Sequence, residues 1–266
     1  MTNKEIAYKD ANISYTISGS GHAVMLIHGF GEDSQVWDAI AVPLSGHYSV
    51  LVPDLPGSGK SSLISEEGTG LEEYAECIRL LLAKENIDRC CLVGHSMGGY
   101  VSLAFAGQYQ EMLSGLVLFH SSAFADDAAK VETRKKAIEF IRDKGSAAFL
   151  KTSTPGLFAD PGQHQGEVNG LIQQGSHFPP QALIQYYEAM ISRPDRTAVL
   201  SAMEVPVLFI LGQHDKAIPI EQGLRQSHLP STSHLTVLRE SGHMGMFEEP
   251  EKAFKTLADF LHSVYV

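Results

Sequence analysis

The sequence predicts an α/β protein: a mostly parallel eight-stranded sheet flanked by helices, with a helical cap inserted after the sixth strand. Three observations carry this expectation. Short apolar runs bounded by Gly, Pro, Asp or His recur along the 266 residues, as buried parallel strands do. Amphipathic segments fall between several of these runs, so strand and helix alternate. The long stretch from Ala123 to Met203 shows only helical patterns.

Ile6 to Tyr8 and Ile13 to Ile17, joined through Asp10-Ala11-Asn12, read as an opening hairpin. The core strands are expected at Ala23 to Ile27, Ser49 to Val52, Cys90 to Val93, Leu116 to Phe119, Val207 to Leu211 and Leu235 to Leu238. Leu71 to Glu85, Tyr100 to Tyr109, Glu221 to His228 and Pro250 to His262 have helical periodicity and supply the layers over the sheet. Within the insertion, helices are expected at Asp126 to Lys144 behind an Asp cap, then Gln163 to Gln174, Pro179 to Ile191 and Arg196 to Met203. The chain thus divides into a core domain, residues 1–122 and 204–266, and a cap, residues 123–203.

Composition sets the class of partner. With 44% hydrophobic and 19% charged residues the chain is an ordinary folded globule, long enough to bury a full core. Lys and Arg number 20 against 31 Asp and Glu, a net charge of -11 that would repel a phosphate backbone, so nucleic acid is not an expected partner. No run has the length of a membrane span, and the polar start Met1-Thr2-Asn3-Lys4-Glu5 does not lead into a signal-type apolar core. Cys77, Cys90 and Cys91 are odd in number and lack metal spacing, which points to buried reduced thiols and a cytoplasmic setting. No metal or cofactor is expected. In particular, Gly59-Lys60-Ser61 fails as a phosphate loop because Asp54 stands where that pattern needs glycine.

The chemistry centres on Gly94-His95-Ser96-Met97-Gly98, between a strand and a helix, which fits the G-x-S-x-G elbow. Such a turn pushes a serine hydroxyl into the open and aims the next backbone N–H at a developing oxyanion. Serine is a weak nucleophile near neutral pH and needs a base, itself oriented by an acid. In open parallel sheets these groups gather at the carboxyl ends of strands. Asp215 follows the run ending at Leu211, and His243 follows the run ending at Leu238.

In the order Ser96, Asp215, His243, with His28-Gly29-Phe30-Gly31 and Asp54-Leu55-Pro56-Gly57-Ser58-Gly59 after the third and fourth strands, the chain resembles the α/β-hydrolase family over nearly its whole length. The resemblance implies that Ser96 attacks an acyl carbon, His243 moves its proton and Asp215 orients His243. It also implies an oxyanion hole made of the backbone N–H groups of Phe30 and Met97. A serine at the elbow disfavours the epoxide-hydrolase and haloalkane-dehalogenase branches, which use aspartate there. The expected activity is hydrolysis of a carboxylic ester, thioester or lactone of a small, largely apolar substrate.

A carbon–carbon hydrolase of the ring-cleavage type is an alternative, although Met244 follows the base where that group typically carries tryptophan. A non-hydrolytic receptor on the same fold is another. Asp126 or Asp127 could instead supply the acid, with Asp126 also reading as a helix N-cap. His120, Phe149, Phe158, Phe178, Tyr186, Tyr187 and Met190 are candidates for substrate contact, with about a third of the six cap residues expected to touch ligand. Phe178 and Tyr186 are those expected to set acyl-length preference. Arg134, Arg193 and Arg196 read as lid salt bridges or, alternatively, as partners of an anionic substrate group.

Overall fold

The computed structural model describes residues 2–66 and 68–265; Met1, Glu67 and Val266, assigned above to the core domain, lie outside the described residues. Strands β1 (Thr2–Tyr8), β2 (Ala11–Ser18), β3 (Ala23–Ile27), β4 (Ser49–Pro53), β5 (Cys90–His95), β6 (Leu113–Phe119), β7 (Val207–Gly212) and β8 (Ser233–Leu238) form one sheet in the order β1-β2-β4-β3-β5-β6-β7-β8. The β1–β2 and β2–β4 pairs are antiparallel and all others are parallel. Every expected strand is present, most of them a few residues longer than the apolar run that marks it.

The helices are α1 (Asp38–Leu44), α2 (Leu71–Lys84), α3 (Met97–Tyr109), α4 (Ala128–Ser153), α5 (Gln165–Gly175), α6 (Pro180–Ser192), α7 (Thr197–Ser201), α8 (Ile220–Gln226), α9 (Gly245–Glu248) and α10 (Pro250–Tyr265). Alternation along the central strands sorts their side chains between two cores. Met25, Ile27, Leu92 and Leu118 pack with α2 and α3, whereas Val24, Leu26, Val93 and Val117 pack with α1 and α10. Adjacent Cys90 and Cys91 are divided between the same two cores, and all three cysteines are buried and free. Among the described residues no helix is long and apolar enough to cross a membrane.

Helices α4 to α7 all fall between β6 and β7, in the stretch whose sequence is helical throughout. Two details there differ from expectation. The N-cap of α4 is Asp127, whose carboxylate accepts from the Lys130 N–H at 2.8 Å, and not Asp126. The helix also continues past Lys144 to Ser153 across a kink at Gly145, where φ of 81° breaks the helical path. Glycine adopts that left-handed value freely, so the apolar pattern resumes on a redirected axis.

Candidate active site

The parallel strands bring the four expected loops to one edge. Ser96 directly follows β5, the Phe30 loop follows β3, Asp215 follows β7 and His243 follows β8. Ser96 has φ 50° and ψ -113°, a conformation rare for a residue with a side chain and characteristic of strain held by its surroundings. Those surroundings leave no room for side chains: a Cβ on Gly94 would lie 2.4 Å from the Gly98 carbonyl oxygen, and one on Gly98 2.3 Å from that of Ile27. The Ser96 backbone is anchored instead. Its N–H donates to Phe119 O at 3.0 Å, and its carbonyl accepts from Ser121 Oγ at 2.7 Å.

His243 Nδ1 donates to Asp215 Oδ2 at 2.7 Å. The other carboxylate oxygen, Oδ1, accepts from the backbone N–H groups of Ala217 at 2.8 Å and Ile218 at 2.9 Å. Burial alone would raise the Asp215 carboxyl; the adjoining His243 and the imidazole of His120 outweigh it and hold the group well below the carboxylate range. The His243 loop is pinned on both sides by Glu248, which accepts from Gly242 N–H at 2.8 Å and Met244 N–H at 3.2 Å. His243 N–H itself donates to Leu157 O at 2.7 Å, so the helical insertion touches the backbone of the expected base.

A second polar chain lies under these loops. Glu32, fully buried, accepts from Gly29 N–H at 2.7 Å and lies 3.0 Å from His95 Nδ1. His95 Nε2 donates to the His243 carbonyl at 2.9 Å. Burial by itself would push the His95 imidazole down, but the Glu32 carboxylate lifts it above its ordinary value, while Glu32 is held low against the same burial. The pair is a buried ion pair linking the Phe30 loop, the elbow and the His243 loop. Nothing in the motifs singled out Glu32; only its place in the loop after β3 hinted at a role.

Ser96 and His243 line one cavity of about 160 Å³ together with Phe30 and, from α6, Tyr187 and Met190. Of the six cap residues named from sequence, these last two line it. Tyr186 faces away, its hydroxyl donating to Pro56 O at 2.7 Å beside Ser58, and Phe149 and Phe158 are buried in the cores. Phe178 borders a separate depression with Asp33, Asp54 and Lys60. Leu150, Thr154, Leu157, Lys130 and Arg134 take the places expected of the aromatics.

His120 has no exposed surface and stands behind Asp215, with Nδ1 3.5 Å from Asp215 Oδ2 and Nε2 accepting from Gly245 N–H at 3.3 Å. Burial pushes its imidazole down to about 4. It supports the acid and does not border the cavity. His120, Asp215 and His243 offer metal-type ligand atoms within 4.8 Å of one another, but both Asp215 oxygens, His243 Nδ1 and His120 Nε2 are committed to hydrogen bonds, and His120 Nδ1 is left without one among the described residues. The rival acid Asp126 is committed elsewhere: it accepts from Arg134 Nε at 2.6 Å and Arg193 Nη2 at 2.9 Å. Arg196 pairs with Glu72. His28 accepts at Nε2 from Leu55 N–H at 2.9 Å and so organises the loop, and Asp54 likewise accepts from Ser34 and Lys60 N–H groups, both at 2.9 Å.

An eight-stranded, mostly parallel sheet with a strained serine at the β5 elbow, an acid after β7 and a histidine after β8 defines a class. Residues 24–256 match the model of the alpha/beta hydrolase family, and the chain belongs to that family. It is similar to a thermophilic esterase from Thermogutta terrifontis, at 28% identity and a TM-score of 0.94, with 100% of each chain covered. It is also 28% identical to a pyrrolizixenacetamide deacetylase from Xenorhabdus hominickii, over 96% of each chain. A 2-hydroxy-6-oxononadienedioate/2-hydroxy-6-oxononatrienedioate hydrolase from Paraburkholderia phymatum is 25% identical over 95% of this chain and 91% of its own.

Proposed function

We propose that the protein is a serine hydrolase that cleaves a carboxylic ester of a small, largely apolar substrate through an acyl-enzyme. One observation carries the reading: a histidine oriented by a doubly pinned carboxylate shares a small, mainly apolar cavity with a serine held on a strained elbow. Ser96 attacks the acyl carbon. His243 Nε2 takes the hydroxyl proton and passes it to the leaving alcohol, while Asp215 holds the proton on Nδ1 and offsets the imidazolium charge. The N–H groups of Phe30 and Met97 receive the oxyanion, the second at the first turn of α3, whose dipole favours negative charge. Among the described residues the Ser96 hydroxyl makes no hydrogen bond, and its bond to His243 Nε2, across the cavity both residues line, forms as substrate enters. Residues 123–203 act as the lid that excludes water.

The 28% esterase relative supports ester cleavage, and the 25% relative keeps carbon–carbon hydrolysis as a second reading. Met244, which follows the expected base where ring-cleavage hydrolases typically carry tryptophan, favours the first. The test is covalent labelling by a fluorophosphonate followed by turnover of a p-nitrophenyl acyl panel. Wild type should label at Ser96 and turn over, and Ser96→Ala should abolish labelling and lower kcat on the order of 10⁴-fold or more. Turnover by Ser96→Ala near the wild-type rate would remove the serine mechanism.

A further inference from the structure

Helix α4 puts Lys130 and Arg134 one turn apart, on the same face, and both line the cavity that holds Ser96 and His243. Neither cation is saturated. Lys130 Nζ donates to Ala217 O at 2.9 Å and has no carboxylate within ion-pair distance among the described residues. Arg134 is oriented by Asp126 through Nε at 2.6 Å and more weakly through Nη2 at 3.4 Å, and its guanidinium lies 5.4 Å from the centre of the Tyr187 ring. Its Nη1 makes no hydrogen bond among the described residues. Asp126 also pairs with Arg193, so one carboxylate serves two guanidiniums, and Glu32, the carboxylate that lines this cavity, is already matched by Gly29 N–H and the His95 imidazole, so the cluster keeps a positive excess.

This excess sits in a protein of net charge -11, at the one place where an apolar cavity meets the expected nucleophile. A purely apolar substrate would bury two cationic heads against hydrocarbon, which is costly unless they are paired. From this we propose that the cavity is an anion subsite: the substrate carries a carboxylate at the end remote from its ester, received by Lys130 Nζ and Arg134 Nη1. The reading rests on the ester hydrolysis proposed above and replaces its largely apolar substrate with half-esters of short dicarboxylic acids. A cavity of about 150 Å³ in another protein holds benzene, so about 160 Å³ suits a chain of similar bulk, such as a glutarate half-ester.

Two measurements test it independently. In a pH-stat, wild type should hydrolyse monomethyl glutarate with a higher kcat/KM than the neutral dimethyl glutarate, and that ratio should fall about 10-fold or more in both Lys130→Met and Arg134→Gln. Arg134→Lys should recover part of it. Titration calorimetry with glutarate and its neutral diamide needs no turnover. Wild type should bind the dianion at least about 10-fold more tightly than the diamide, with the preference shrinking by a similar factor in each variant whose melting curve stays cooperative. Equal binding of the two by wild type, or a preference untouched in Lys130→Met and Arg134→Gln, overturns the anion subsite. Failure to hydrolyse either ester while glutarate still binds selectively refutes the ester reading and leaves the subsite standing.

Discussion

Asp215→Asn is an informative perturbation because the structure decides which way the new amide must face. Asp215 Oδ1 accepts from two backbone N–H groups, of Ala217 and Ile218. An amide nitrogen has only donors, so the asparagine oxygen must take that position, and turning the amide over would leave those donors unpaired at about 1–3 kcal/mol each. The NH₂ group then replaces Oδ2, 2.7 Å from His243 Nδ1. Facing a donor, Nδ1 must offer its lone pair, and the ring proton moves to Nε2, the nitrogen that has to accept from Ser96. The wrong tautomer should cost about 10³- to 10⁴-fold in kcat, or about 4–5.5 kcal/mol of transition-state stabilisation. The assay is kcat on p-nitrophenyl acetate and butyrate, with near-ultraviolet circular dichroism to confirm the fold. Asp126→Asn, which weakens the ion pairs to Arg134 and Arg193, should lose melting temperature and far less kcat. A loss below 10-fold in Asp215→Asn, or a larger one in Asp126→Asn, would refute the assignment of the acid.

Three further outcomes follow from the buried polar groups and the lid. Glu32→Ala removes the carboxylate that keeps the buried His95 imidazole protonated and strips Gly29 N–H of its acceptor, and should cost about 3–5 kcal/mol in denaturant unfolding, whereas Glu32→Gln, which keeps an acceptor for Gly29 N–H, should cost clearly less; equal losses would argue against the ion pair. His120 titrates near 4 when folded and near 6.5 when unfolded, so the unfolded chain binds the extra proton between those values. The stabilisation from keeping it neutral is complete above 6.5 and is lost as pH falls toward 4, about 2 kcal/mol of it by pH 5, and His120→Gln should flatten that part of the stability profile. Tyr187→Ala should shift the relative kcat/KM of short and long acyl chains by up to about 10- to 200-fold, whereas Tyr186→Ala should mainly lower the melting temperature; the reverse pattern would show that the cavity wall has been misplaced.

The sheet was legible because buried parallel strands must be short, apolar and sharply ended, and the elbow because its glycines answer a steric demand that nothing else meets. The stretch from Ala123 to Met203 was legible as helix but not as a surface. Tyr186 and Tyr187 are neighbours on α6, about 100° apart around its axis, and one reaches Pro56 while the other borders the cavity. A cap helix packs on more than one side, so its apolar periodicity does not say which side faces substrate. The same kind of ambiguity placed the N-cap of α4 at Asp126 when it is Asp127: adjacent carboxylates at a helix start are equivalent caps in sequence, and only the approach of Arg134 from two turns into α4 and of Arg193 from the end of α6 assigns Asp126 to ion pairing.

Glu32 was illegible for a further reason, which bears on how the site is built. Its contacts draw on three strand ends: Gly29 lies beside it after β3, His95 ends β5, and through His95 it reaches the carbonyl of His243 after β8. No local pattern encodes such a contact, because each partner is brought in by a different strand end. The consequence is a division of labour across the sheet edge. Below, on the side of the sheet, the Glu32–His95 pair and the Asp215 cradle hold the Ser96 elbow and His243 through buried hydrogen bonds that tolerate little displacement. Above, α4 and α6 present Lys130, Arg134, Tyr187 and Met190 to the cavity, and among the described residues none of these side chains hydrogen-bonds to that of Ser96, Asp215 or His243. Substitutions above the cavity should therefore alter which substrate is taken, and substitutions below it should alter whether any is turned over.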